Sequence, residues 1–400
     1  MIVTAIYRFF LLFFLVLVGA FAYSQSVIEG AIVNNANEEA VPFVTISVQS
    51  KAVGTITNID GKFKLDLRKL LDTDTIHVSH LSYNSLDITL ASLKSNQGKI
   101  KLSENTLMLR EVTVNAEQND IDLLEDVITQ SKKKLTPPLT YNIYYSEWVK
   151  ENASYNRFAD GLLTVAYPLK KEDVIVRVNQ SRAFKLPKDD DEIFDMVSPV
   201  KLEYVLNYVY IDFLNRFRGE KGKDYNIISY QGSSFDDFYT IAIAPKKGEV
   251  SDDSRLLYSA KLKVDQDHAI REVEIKSDSL ASFEKSFLGL KSRLLESKIN
   301  LNFKKTKDEN YLAFARWEFK VRFAYKKKVQ ISVYTSEFVL LDAADQWTEI
   351  PRKDQFKKSA LFKNGNKWTT NFWEGFEMPL LSDEEKKVVK ALAEKSKSSP

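Results

Sequence analysis

Three histidines, His77, His80 and His268, and 55 acidic residues are the first side chains from which metal or hydrolytic chemistry could be assembled in this 400-residue chain. A zinc hydrolase grips its ion with an H-x-x-E pair and a later histidine while leaving one coordination position open. None of the three histidines is followed by glutamate at that spacing. His77 and His80 stand three apart in a strand-like run, so alternation predicts that their imidazoles leave on opposite faces. Paired carboxylates across a groove hydrolyse glycosidic bonds and leave no local signature. The most conspicuous acidic run, Asp189, Asp190, Asp191 and Glu192, reads as a solvated loop because consecutive like charges repel. There is no G-x-S-x-G elbow, phosphate-cradling glycine loop or dinucleotide fingerprint, and without cysteine there is no thiol nucleophile and no disulfide. The expectation is a non-enzymatic chain with no catalytic residue, metal site or cofactor.

The elements that would position any site are mainly strands. Val44, Ile46 and Val48 alternate with polar neighbours, as do Phe63, Leu65 and Leu67, the period of half-buried strands. Asp60-Gly61 sits between two such runs, where a hairpin turn needs positive φ. An acidic residue at a turn also suggests calcium, but no spaced ladder of oxygen ligands follows it. Short strands with turn signals over residues 25–116 predict a seven-stranded sandwich.

The fragments VPFVTISV (41–48), GTITNIDGKFKLDL (54–67), DTIHVSHLSYNSLDITL (74–90) and LREVTVNA (109–116) occur in that order and resemble the carboxypeptidase-regulatory-like β-sandwich. That module recurs at the N-termini of outer-membrane nutrient receptors and exported proteins of Gram-negative bacteria. Where the family carries Gly-Tyr, this chain has Ser82-Tyr83. The resemblance implies an Ig- or transthyretin-like fold and an envelope location, and names no reaction.

Residues 1–24 read as a signal peptide: Arg8 precedes the apolar run 9–18, and Gly19, Ala20, Ala22 and Ser24 supply small residues. Cleavage is expected after Ala22 or Ser24, leaving no transmembrane helix. Removing Arg8 with that segment takes the charge count from 57 basic against 55 acidic residues to 56 against 55. Such a balance offers no field for nucleic acid. The clusters Lys132 to Lys134 and Lys326 to Lys328 read as solvated helix or turn residues.

Residues 117–140 read as a helical linker, with Ile121, Leu124, Val127 and Ile128 at helical spacing and Pro137-Pro138 as the stop. Over 141–381 come ten aromatic and β-branched stretches with short polar connections, such as Asp265-Gln266-Asp267 and Thr306-Lys307-Asp308, which predict a large curved antiparallel sheet. One helix is predicted within it, over 199–218, capped by Ser198 and closed by Gly219. Its apolar stripe includes Leu206, Val209, Phe213 and Phe217, the candidate lining of an apolar pocket or simply core against the sheet. Residues 382–400 read as a charged, exposed helix opened by the Ser382/Glu385 capping box.

SRAFKLP (181–187), FYTIAIAPK (238–246), AKLKVDQDHAIREVEI (260–275), YLAFARWEFKVRF (311–323) and FWEGFEMP (372–379) make this region similar to exported proteins in which a regulatory-like domain precedes a lipoprotein-carrier-like half-barrel. The leading expectation from the whole is an envelope binding or scaffolding protein that engages an outer-membrane protein or surface glycan. Its alternative is a carrier or sensor of a lipid or other apolar ligand, and the third is a glycan or peptide hydrolase. A full nutrient receptor is not expected, because residues 117–400 are too few for a plug and a barrel of about 22 strands.

Overall fold

The computed structural model describes residues 27–48, 51, 53–105, 120–134, 140–166, 174–186, 202, 211–231, 238–246, 258–277, 284–305, 310–344, 348–358, 360–367, 369, 372–375 and 381–397. The segment 1–24, the acidic run 189–192, the Thr306 to Asp308 connection and the Ser198 cap lie outside them.

Among the described residues, seven strands form the N-terminal sandwich: β1 (Val27–Asn34), β2 (Thr45–Val48), β3 (Gly54–Ile56), β4 (Lys62–Asp66), β5 (Thr75–His80), β6 (Tyr83–Thr89) and β7 (Lys99–Leu102), with helix α1 (Leu90–Ser95) before the last. They make a three-stranded sheet, β4-β1-β7, and a four-stranded sheet, β3-β2-β5-β6. Between the sheets, Val44, Ile46, Phe63, Leu65, Ile76 and Val78 are fully buried, as their alternation requires. Gly61 adopts φ 70°, and a Cβ there would meet the Ile32 carbonyl at 2.6 Å. The Asp60-Gly61 turn is not a hairpin, however: β3 pairs with β2 and β4 with β1, so the turn carries the chain from one sheet to the other. Ser82-Tyr83 needs no glycine, since the Ser82 amide donates to His80 Nδ1 at 3.1 Å and neither residue has positive φ.

Helix α2 (Ile121–Lys134) leads into a mainly antiparallel region: β8 (Thr140–Glu151), β9 (Ser154–Ala166), β10 (Ile175–Lys185), β11 (Tyr225–Gln231), β12 (Phe238–Pro245), β13 (Tyr258–Asp265), β14 (Ile270–Ser277), β15 (Glu284–Phe287), β16 (Leu290–Lys305), β17 (Asn310–Tyr325) and β18 (Lys328–Ala344). All belong to one sheet of order β10-β9-β8-β18-β17-β16-β14-β13-β12-β11, with β15 paired to β16. Its ends, β10 and β11, do not pair with each other, so the sheet is an open half-barrel. Alternation gives it two faces. The inner one carries the main core, with Ile241, Leu262, Ile275, Leu301 and Leu163 among its buried residues.

The outer face is covered twice. The sandwich sits on β13, β14, β16 and β17 through Ser79 Oγ to Glu272 (2.7 Å), Lys263 Nζ to Ser85 Oγ (2.7 Å) and Asn302 Nδ2 to Thr45 Oγ1 (2.6 Å). Phe43 stacks on Phe314 at 5.7 Å in the same seam. Helix α3 (Asp383–Lys397) lays Val389 and Leu392 on Trp148 and Phe158. The capping box forms reciprocally, the Glu385 amide to Ser382 Oγ at 3.0 Å and the Ser382 amide to Glu385 at 2.8 Å. This end is therefore docked on the sheet instead of standing exposed. Asp383 also ties it to the sandwich, by Lys62 Nζ at 2.6 Å and by its own amide to Asp60 at 3.0 Å.

Two expectations change here. The bulge between Val78 and His80 shifts the alternation of β5, and both imidazoles meet the large sheet. The His77 ring lies 5.8 Å from Phe238, and half-buried His80, its proton affinity lowered by desolvation, has Glu272, Glu274, Lys263 and Lys298 as its charged neighbours. The second change concerns the helix expected over 199–218. Leu202 is helical and fully buried in the main core, while the described end of the stretch is a 3-10 helix, Ile211–Phe217, followed by another, Gly219–Asp224. Gly219 does take the left-handed conformation expected of a stop, with φ 58°.

Candidate functional site

The inner face is apolar because six strands present β-branched or leucine side chains at every second position; Ile241 and Ile243 on β12 and Leu262 and Val264 on β13 have 2% exposure or less. Over it lies α2, whose stripe of Leu124, Val127 and Ile128 is fully buried in the same cluster. What reads in sequence as a linker is thus the cover of the inner face. Both ends of α2 are pinned. The Asp120 amide donates to the Ile227 carbonyl at 3.0 Å, and its carboxylate accepts from the Ser229 amide and hydroxyl at 2.6 and 2.5 Å. At the far end Ser131 Oγ donates to the His268 carbonyl at 3.1 Å and accepts from the Ile270 amide at 3.0 Å.

That second anchor brings three polar side chains together. His268, held at φ 59° in the turn between β13 and β14, places Nδ1 2.5 Å from Asp126 Oδ2 on α2. The bond from His268, followed by one from Gln130, keeps the Asp126 carboxyl below its usual range. Tyr239 on β12 meets the His268 ring edge-on at 5.9 Å. Its hydroxyl is buried and has no hydrogen-bond partner among the described residues. Burial, then the charges of Asp126 and Asp265, push the phenol well above its ordinary pKa, so it stays a donor at any physiological pH. An unpaired buried hydroxyl costs about 1–3 kcal/mol, and this one lies against an apolar wall.

The cluster can hold an oxygen; it is poorly built to attack a carbon. The nearest hydroxyl on α2, Ser131, is spent on the backbone in both directions, and the Asp126 carboxylate is engaged by His268 and Gln130. No group of three or more metal-ligating side chains occurs among the described residues.

Of the candidate pocket residues, Phe217 is fully buried in the inner cluster and packs edge-on against Tyr225 at 5.0 Å. Leu206, Val209 and the side chain of Phe213 lie outside the described residues. Tyr239, Asp126 and His268 carry no local signal that would join them, since 142 residues separate the last two.

The seven strands, their two-sheet order and the sandwich core are on the N-terminal side of this arrangement. Residues 28–114 match the CarboxypepD_reg-like domain. This domain is Ig-like and non-catalytic. No curated protein matches the chain. Among solved structures it is similar to a lipovitellin described for its lipid–protein interactions (10% identity, TM-score 0.25, 62% of this chain and 29% of that one). It is also similar to a DUF1329 family protein from Desulfovibrio piger (9%, 0.23, 56% and 94%). A third is a LolA superfamily protein from Nitrosomonas europaea (14%, 0.19, 56% and 95%). The aligned part spans under a third of the lipovitellin chain. Likenesses of this size say nothing about ligand or activity here.

Proposed function

We propose that this chain is an exported, non-enzymatic carrier or sensor of an amphipathic ligand, an acyl chain with one oxygen-bearing head, held on the inner face beneath α2. The observation that carries the reading is Tyr239: its hydroxyl is buried and has no hydrogen-bond partner among the described residues, and it stands where the polar His268–Asp126 pair meets the apolar cluster. The apolar wall would take the chain and the phenol the head. Export rests on the signal-like pattern of residues 1–24.

The scaffold reading, with an outer-membrane protein or surface glycan as partner, is the weaker one. Ser79, Ser85, Thr45 and Phe43, which a free sandwich would offer to a partner, are taken up by the large sheet. A fluorescent fatty-acyl probe titrated into the purified chain tests the proposal. Binding should occur, and Tyr239→Phe should weaken it about fivefold to tenfold, the worth of one hydrogen bond, while leaving circular dichroism unchanged. Absence of probe binding, or equal binding by the variant, would reject it.

A further inference from the structure

Three hairpin tips stand side by side at one end of the large sheet. The β8–β9 turn follows Glu151, paired with Ser154; the β17–β18 turn lies between Tyr325 and Lys328; the β15–β16 turn lies between Phe287 and Leu290. Pairing of Leu290 with Tyr325, and the Asn152 amide bond to the Ile331 carbonyl at 2.8 Å, fix them as neighbours. A small cluster, Val149, Leu290, Val321, Phe323 and Tyr334, packs beneath them.

The tips carry two features that stability does not explain. Leu288 is 79% exposed in a two-residue turn where it and Gly289 take φ 48° and 80°. Such a turn favours Asn, Asp or Gly, and a bulky residue there is strained without gaining any burial. Strain with no packing return is a pointer to use. Across the next hairpin Val329 and Ile331 are exposed as well, beside the exposed Lys326, Lys327 and Lys328. Lys291 adds a cation, offset by Glu284 at 3.1 Å.

Exposed leucine and branched residues ringed by lysine match a bilayer interface, whose headgroup zone accepts apolar side chains and whose anionic lipids attract lysine. A protein partner would more typically meet aromatic residues and arginine, lysine being depleted at such interfaces. We propose that these three tips dock the protein on an anionic lipid surface, with Leu288, Val329 and Ile331 entering the interface and Lys326 to Lys328 on the headgroups. The surface is distinct from the inner face and does not rest on the ligand reading.

The absence of cysteine makes the test site-specific, and it separates the tips from any contact made by the apolar residues 9–18. Leu288→Cys in the full chain is labelled with a polarity-sensitive dye and mixed with vesicles of phosphatidylcholine containing about one-third phosphatidylglycerol. Leu71→Cys, on the exposed surface of the sandwich, is the remote control. A blue shift is expected at 288 and not at 71, absent with pure phosphatidylcholine and lost on raising the salt. Adding Lys326→Glu and Lys327→Glu should weaken the anionic-vesicle response at least tenfold, since each lysine near such a surface is worth about fivefold. No shift at 288, an equal shift at 71, or a response indifferent to lipid charge or to the lysine changes would each overturn the proposal.

Discussion

Arg182 on β10 lies directly opposite Asp160 on β9 and grips its carboxylate with both Nε and Nη2, at 2.7 and 2.8 Å. The Tyr144 hydroxyl adds a third bond at 2.8 Å. Asp160 is fully buried, and the guanidinium is stacked between Phe158 and Trp373 at 5.6 and 4.5 Å. Burial still leaves the Asp160 carboxyl above its ordinary range despite these partners. The pair therefore fixes the β9–β10 register and adds little net stability.

Removing one partner is another matter. Arg182→Met strands a buried carboxylate and should cost about 3–5 kcal/mol, whereas Arg182→Met with Asp160→Asn should recover a large part of it. Urea unfolding of the two variants checks this; equal losses would mean that the stacking, and not the charge, matters.

Asp265 is paired by Arg271, whose Nε lies 2.9 Å from Oδ2. Burial raises this carboxyl, but the Arg271 charge and hydrogen bond outweigh it and the folded pKa is lowered. A lowered carboxyl contributes stability that is complete above its unfolded value near 3.8 and fades as pH falls through the folded one. Asp265→Asn should therefore destabilise the protein at pH 6, and its deficit against the parent should shrink steadily below pH 4 in chemical unfolding series.

Lys304 titrates the other way: burial alone lowers its amine to about 8. Between pH 8 and 10.5 the unfolded chain then binds more protons than the folded one, so stability rises with pH across that window. The rise is at most about 3 kcal/mol. Lys304→Met should abolish it and raise stability at pH 7, measured by unfolding midpoints at pH 7, 9 and 10.

Phe217→Ala should open a cavity beneath α2 and cost about 3–5 kcal/mol, because the ring is fully buried against Tyr225. A midpoint within experimental error of the parent would show that this edge of the inner face is loosely filled.

Most of the sheet was legible because its strands alternate. Ile227, Ile241, Ile243, Leu262 and Val264 all fall on the buried face that a two-residue period assigns them. β15 escaped because Glu284, Lys285 and Ser286 offer no apolar alternation and are placed by their ladder with β16. The stripe of α2 announced burial without saying against what, and the prolines after it suggested a linker; only the Asp120 and Ser131 anchors, made to strands more than a hundred residues away, turn it into a cover. The Asp126–His268–Tyr239 cluster was invisible for the same reason. The bulge at Ser79 defeated the two-residue rule that would have parted His77 from His80.

The pairing of β8 with β18 sets the order in which this sheet can be made. Tyr145 waits for Phe338, so β8, β9 and β10 can zip together once Lys185 is made, while their neighbour β18 begins only at Lys328. The sandwich, whose described strands lie within residues 27–102, faces no such delay. Until β18 arrives, the early three-stranded piece has an unpaired edge at β8 and the growing meander has another at β17, the kind of surface that recruits foreign strands. Long-range closure of this sort is slow, and a chaperone guarding those two edges would shorten the interval in which the nascent protein is exposed to aggregation.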